Sequence, residues 1–140
     1  MANAFVDTNV LIYAADESAS DERKTRIARE LLRQRGLQLS VQVLNEFTVN
    51  ARHRSKLNFT AEQENDWLSR WLLFPVAPLT LDTFISGRLI HLRYQVSHWD
   101  SLILASARET GCAVVYSEDL GNGQEYDGVK VVNPFLEAQS

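Results

Sequence analysis

Two short apolar runs that end in carboxylates constrain this chain more than any other feature. Ala4, Phe5 and Val6 lead into Asp7, and Cys112 through Tyr116 lead into Ser117, Glu118 and Asp119. Neither run alternates apolar with polar residues, so each reads as a strand buried on both faces, the pattern of a parallel sheet covered on both sides. LQLS (37–40) and VKVVN (129–133) read as further strands. Longer helical segments separate them, and strands alternating with helices imply an α/β, three-layer architecture: a mostly parallel central sheet flanked by helices. In such sheets ligands bind outside the carboxyl ends of the strands. Asp7 and Asp119 both stand there.

The helical segments carry their own start and stop signals. NVLIYAAD after Asp7 reads as a short helix. Residues 21–35 are predicted helical, with Ile27, Leu31 and Leu32 as an apolar stripe among basic residues and Gly36 as the stop. Ser40 caps a helix over residues 41–56 on which Val43, Leu44, Phe47 and Ala51 share a face. Thr60 and Gln63 form a capping box ahead of the next helix, which Pro75 ends. Thr80 caps an amphipathic segment in which Leu81, Phe84, Ile85, Leu89 and Leu92 recur at helical steps. The final helix spans about residues 99–110 and stops at Gly111, and GNGQEYDG (121–128) is expected to be a loop.

With 140 residues, 45% hydrophobic and 23% charged, the chain reads as one globular domain over residues 1–140, which excludes a disordered, collagen-like or disulfide-stapled class. A lone Cys112 forms neither an internal bridge nor a cysteine zinc site. The first residues lack the basic segment of a signal peptide, and no apolar run approaches the roughly 18–20 residues of a membrane span, so a cytoplasmic location is expected. Net charge is −4, which argues against a general nucleic-acid binder. The distribution is uneven, however. Nine of the 14 Lys and Arg fall between Arg23 and Lys56 against only Glu30 and Glu46, a net of +7.

Each acid near the strand ends has a plain structural role available. Asp7 can cap a helix, Asp119 can form a turn, Asp100 can complete a capping box with Ser97, and Glu46 can be a solvated helix residue. Jointly these roles explain less. Glu46 lies between Leu44 and Phe47, and Asp100 between Trp99 and the apolar LILASA, so both approach buried faces where a charge without a partner is costly. Four carboxylates converging on one cleft repel each other, and a cation is the natural compensation. All-oxygen ligation suits Mg²⁺ or Mn²⁺. His53, His91 and His98 lack the spacing of a zinc site.

AFVDTNVLIYA at the start, LNEF in the basic window, HWDSLILASA, VVYSEDL and the closing GQEYDGVKVVNPF together resemble the PIN domain, and within it the VapC-type toxins of bacterial toxin–antitoxin pairs. The resemblance spans nearly the whole chain in order. It implies a PIN-like fold and an endoribonuclease whose acidic site is Asp7, Glu46, Asp100 and Asp119, with Thr8, Asn9 and Ser117 beside them. Asp7, Asp100 and Asp119 would hold Mg²⁺ or Mn²⁺, and Glu46 would hold or deprotonate the attacking water. Asp119 is expected to point inward rather than Glu118, because it lies two residues after Ser117 and alternate side chains share a face. The products would carry 5′ phosphates and 3′ hydroxyls. The resemblance further implies an RNA substrate, a VapB-like antitoxin that covers the cleft, and a homodimer. Trp67, Trp71, Leu72 and Phe74 could face a partner, although core packing is the expected fate of most of them.

Two other readings compete. A phosphotransferase of the haloacid-dehalogenase type would need an acid where Asn9 stands and a lysine in a phosphate loop, which the sequence lacks. A catalytically silent RNA- or antitoxin-binding PIN-like module would keep the fold without turnover, and the intact set of four acids argues against it. In the basic window, Arg52, Arg54 and Lys56 follow Glu46 and are expected to hold RNA phosphates. Arg26, Arg29 and Arg33 are expected to form a solvated face.

Overall fold

The computed structural model describes residues 3–136. Its centre is a six-stranded sheet of order β3-β2-β1-β4-β6-β5, made of β1 (Asn3–Val6), β2 (Leu37–Ser40), β3 (Val76–Ala77), β4 (Cys112–Tyr116), β5 (Glu125–Tyr126) and β6 (Val129–Val132). Neighbouring strands are parallel except β5 and β6. Phe5, Val6, Leu39, Val115 and Val131 are fully enclosed, as strands covered on both faces require.

Six helices cover the sheet: α1 (Thr8–Ala15), α2 (Glu22–Leu31), α3 (Val41–Arg52), α4 (Ala61–Trp71), α5 (Leu81–Tyr94) and α6 (His98–Glu109). Among the described residues none is long and apolar enough to cross a membrane. The predicted caps are in place. Ser40 Oγ accepts the Val43 amide, and Thr60 and Gln63 make the reciprocal bonds of a capping box. On α3, Val43, Phe47 and Ala51 are buried as one face. Phe47 packs edge-on against Trp71, which stacks on Trp67, so both tryptophans belong to the core between α3 and α4 while Leu72 is exposed.

The chain runs from β1 to β2 on one side of the sheet and pairs β1 with β4 on the other, so the order of strands reverses between β1 and β4. Asp7 follows β1 and Ser117–Asp119 follow β4 at that crevice. This is the place where an open parallel sheet leaves room for a ligand.

Several local features differ from the expectations, among them α3, which ends at Arg52, four residues short of the 41–56 expected, with His53 in an extended conformation as its cap. The basic helix ends at Leu31 and turns through residues 32–36 before β2. A two-residue strand lies inside 121–128 and pairs with β6 through a turn at Asp127 and Gly128, both at positive φ, so an Asp-Gly hairpin replaces part of the loop. On α5 the apolar stripe faces outward: Leu81, Phe84, Ile85, Leu89 and Leu92 are exposed, with Leu89 at 64%, and the packed face is Thr83, Gly87 and Ile90. The reason is close approach. A Cβ on Gly87 would stand 2.9 Å from Leu102 Cδ2. The helix meets α6 through its smallest residue and leaves its leucines outside.

Candidate active site

A cleft of about 560 Å³ opens at the strand ends and is lined by Asp7, Glu46, Asp100 and Asp119 together with Thr8, Asn9 and Lys56. The four predicted acids therefore share one cavity. Asp7 comes from the end of β1 and caps α1, Glu46 from the middle of α3, Asp100 from the first turn of α6, and Asp119 from the segment after β4.

Asp7 is buried, and its two oxygens are held separately: Oδ1 accepts the Thr8 amide at 2.7 Å and Oδ2 the Ser117 hydroxyl at 2.8 Å. Burial pushes its pKa up to about 7 despite those donors, and the nearby charges of Glu46 and Asp119 push in the same direction. Asp100 is raised as well, mainly by burial, opposed by a hydrogen bond with Ser97 and reinforced by Asp119 and Glu46. The Ser97 hydroxyl accepts the Asp100 amide at 3.1 Å, so the helix is capped while the Asp100 side chain lines the cleft.

The hydroxyl and amide neighbours organise the acids. Thr8 donates to Glu46 Oε2 at 2.7 Å. Asn9 donates to Asp119 Oδ2 at 3.2 Å and to Ser117 Oγ at 3.3 Å, while its own oxygen accepts the Glu118 amide. Glu118 also lines the cleft but has other partners: Tyr13 donates to it at 2.7 Å and Lys24 forms an ion pair with it. Of the adjacent pair, Asp119 is thus bound to the Asn9–Ser117 network and Glu118 to Tyr13 and Lys24.

The basic residues separate. Lys56 lines the cleft, whereas Arg52 forms an ion pair with Glu64 on α4 at 3.7 Å and Arg54 is exposed outside the cleft lining. Arg29 donates to the Ala14 carbonyl and Arg33 stands near Glu30, both away from the acids. Sequence reasoning missed three contributors. Lys24 and Tyr13 fix Glu118 across a long sequence separation, which no local pattern announces. Gln42 donates to Glu46 Oε1 at 3.1 Å from one helical turn earlier, and the four-residue spacing was a visible signal.

Among the described residues no three His, Cys, Asp or Glu side chains already form a closed ligand cage. The donor set still fits a hard divalent cation. It consists of oxygens, its buried carboxylate is raised mainly by burial and further by neighbouring acids, and Mg²⁺ keeps several waters and takes only one or two carboxylates directly. Asp7, Asp100 and Asp119 are the residues that would hold it.

A family profile described as the PIN domain matches residues 4–121, which spans β1 to the segment bearing Asp119. No curated protein matches the chain significantly. Among solved structures the fold is similar to Mycobacterium tuberculosis VapC20, described as a sarcin–ricin-loop-cleaving toxin. That match has a TM-score of 0.67 and 21% identity, over 84% of this chain and 90% of that one. A toxin–antitoxin complex from Klebsiella pneumoniae matches with a TM-score of 0.69 and 21% identity over 94% and 98%. FitAcB from Neisseria gonorrhoeae matches with a TM-score of 0.60 and 19% identity over 94% and 98%. The profile covers every element that places an acid in the cleft, and the chain belongs to the PIN domain family.

Proposed function

We propose that this chain is a metal-dependent endoribonuclease and the toxin of a VapBC-type toxin–antitoxin pair, acting in the cytoplasm as a single PIN-like domain. The observation that carries the reading is the convergence of Asp7, Glu46, Asp100 and Asp119 on one cleft at the strand-order reversal, with Asp7 raised to about 7. Titration there at neutral pH is a poor arrangement for stability and a useful one for binding a cation. A Mg²⁺ or Mn²⁺ ion, when bound, neutralises charge at the scissile phosphate and makes water more acidic.

The chain's own residues do the rest. Glu46, held by Thr8 and Gln42, accepts a proton from the attacking water. Asn9 and Ser117 keep Asp119 and Asp7 aimed into the cleft. Lys56 meets a phosphate of the RNA, and Arg52 and Arg54 extend the path outward. Hydrolysis by water leaves 5′ phosphates and 3′ hydroxyls.

The similar structures that are toxin–antitoxin complexes support a VapB-like antitoxin as partner. The outward leucines of α5 support a homodimer, because a solvated stripe of five large apolar residues is the kind of patch an interface covers. The test is cleavage of a structured RNA pool with Mg²⁺, Mn²⁺, Ca²⁺ or EDTA, with the ends mapped. Cleavage in EDTA, or 2′,3′-cyclic phosphate ends, refutes the mechanism. Metal and RNA binding without cleavage would favour the silent-module reading.

A further inference from the structure

Gln42 stands on α3 one turn before Glu46 and is 3% exposed. Its amide nitrogen donates to Glu46 Oε1 at 3.1 Å and to the Trp99 carbonyl at 3.0 Å. Both partners only accept, so the amide orientation is determined: turned over, its oxygen would face two oxygens. That oxygen is buried with no hydrogen-bond partner among the described residues. A buried acceptor left unpaired lowers stability, and an apolar side chain of similar shape would avoid the loss. Such a side chain would also lose the two bonds to Glu46 and the Trp99 carbonyl, so stability alone gives glutamine little advantage at this position.

We propose that Gln42 is a positioning residue of the acid cleft. Its amide sets the direction of the Glu46 carboxylate and ties it, through the Trp99 carbonyl, to the turn of α6 that carries Asp100. This rests on the nuclease reading above. Thr8 holds one oxygen of Glu46 and Gln42 the other, so the carboxylate is fastened at both ends. Through Thr8 it is bound to the residue after Asp7, and through Gln42 to the residue before Asp100. Thr8 and Gln42 thus tie together three acids contributed by three different elements, with Gln42 supplying the link to Asp100. A general base held in this way needs no rearrangement when water arrives.

The experiment is Gln42→Met in the full chain, which keeps length and volume but removes the donor. The metal-free thermal midpoint should change little, because relief of the unpaired amide oxygen offsets the bonds lost at Glu46 and the Trp99 carbonyl. The kcat for RNA cleavage should fall about tenfold to a hundredfold, the worth of a hydrogen bond to a charged group, with KM little changed. In NMR spectra of the metal-free protein, the Glu46 side-chain couplings should show averaging over rotamers. A lower midpoint with unchanged kcat makes Gln42 a packing residue and overturns the proposal. If wild type cleaves no RNA, the nuclease reading fails separately, and the NMR measurement decides: Glu46 couplings identical in variant and wild type overturn the placement. Should Gln42→Met not fold, Gln42→Leu removes the donor with a smaller apolar side chain and is expected to show the same loss of kcat.

Discussion

Replacing Asp7 by asparagine separates the two roles its position allows, helix cap and ionisable cleft acid. The carboxyl is raised from 3.8 to about 7 in the folded chain, mainly by burial. Over that interval the folded state holds a proton that the unfolded state has released, so stability falls as pH rises from about 4 to 7 and is level above it. Roughly three pH units at about 1.4 kcal/mol each make this an effect of about 4 kcal/mol, as an upper bound. Asparagine stays neutral and still caps a helix well. It gives up one acceptor, however, and its amide would face Ser117 Oγ, which already accepts from Asn9, Asp119 and Leu120. That loss is about 1–2 kcal/mol. Metal-free Asp7→Asn should then be about 2–3 kcal/mol more stable than wild type at pH 8, and equal or slightly less stable at pH 5. Urea denaturation in EDTA at pH 5, 6, 7 and 8 reads both curves. A variant less stable than wild type at pH 8, or a wild-type curve without loss between pH 5 and 8, would refute the argument and leave Asp7 as a cap. The variant should also lose the Mn²⁺-induced rise in thermal midpoint and all RNA cleavage.

Glu118→Gln should keep cleavage within a few-fold of wild type while Asp119→Asn loses most of it, because Glu118 is engaged with Tyr13 and Lys24; equal losses in a gel assay would show that both acids serve the cleft. Replacing Arg52, Arg54 and Lys56 together by glutamine should weaken RNA binding at all sequences. It should also flatten the slope of log affinity against log salt by about 0.7 if Lys56 alone meets a phosphate and about 2 if all three do. Arg26, Arg29 and Arg33 serve as the control triple, and a flatter slope only in that set would move the RNA to α2. Leu89→Glu on the outward stripe of α5 should yield monomers in light scattering with little change in thermal midpoint, since the side chain is largely exposed; an unchanged dimer would place the interface elsewhere.

Much of the fold was legible because its signals are local. Capping residues act within one helical turn, and Ser40, Thr60 and Thr80 each cap the helix expected of them. Strands buried on both faces betray themselves by unbroken apolar runs. The α5 stripe was misleading in direction because periodicity shows that a face exists, not what covers it. Gly87 decided which face packs, through a contact with Leu102 fifteen positions away. The short β5 was missed although Asp127-Gly128 is a hairpin signal, since two residues of strand leave no periodicity to read.

The candidate site was legible as a set of residue types and not as a set of partners. An acid at the end of a buried strand stands at a ligand crevice whatever follows it, and that argument reached Asp7 and Asp119 from the sequence. It could not supply the reason Glu118 and Asp119 have different partners. Alternation counted from Ser117 favoured Asp119, yet β4 ends at Tyr116 and the next residues are not strand. Both acids line the cleft, and what distinguishes them is their partners: Asn9 and Ser117 hold Asp119, and Lys24 with Tyr13 engages Glu118. An unpaired Glu118 carboxylate in the cleft would add to the charge repulsion that, after burial, raises Asp7. The Lys24 ion pair compensates that charge where it stands. A lysine in the basic window thus acts on the acidic site from α2, and the +7 excess has at least one function unrelated to nucleic acid.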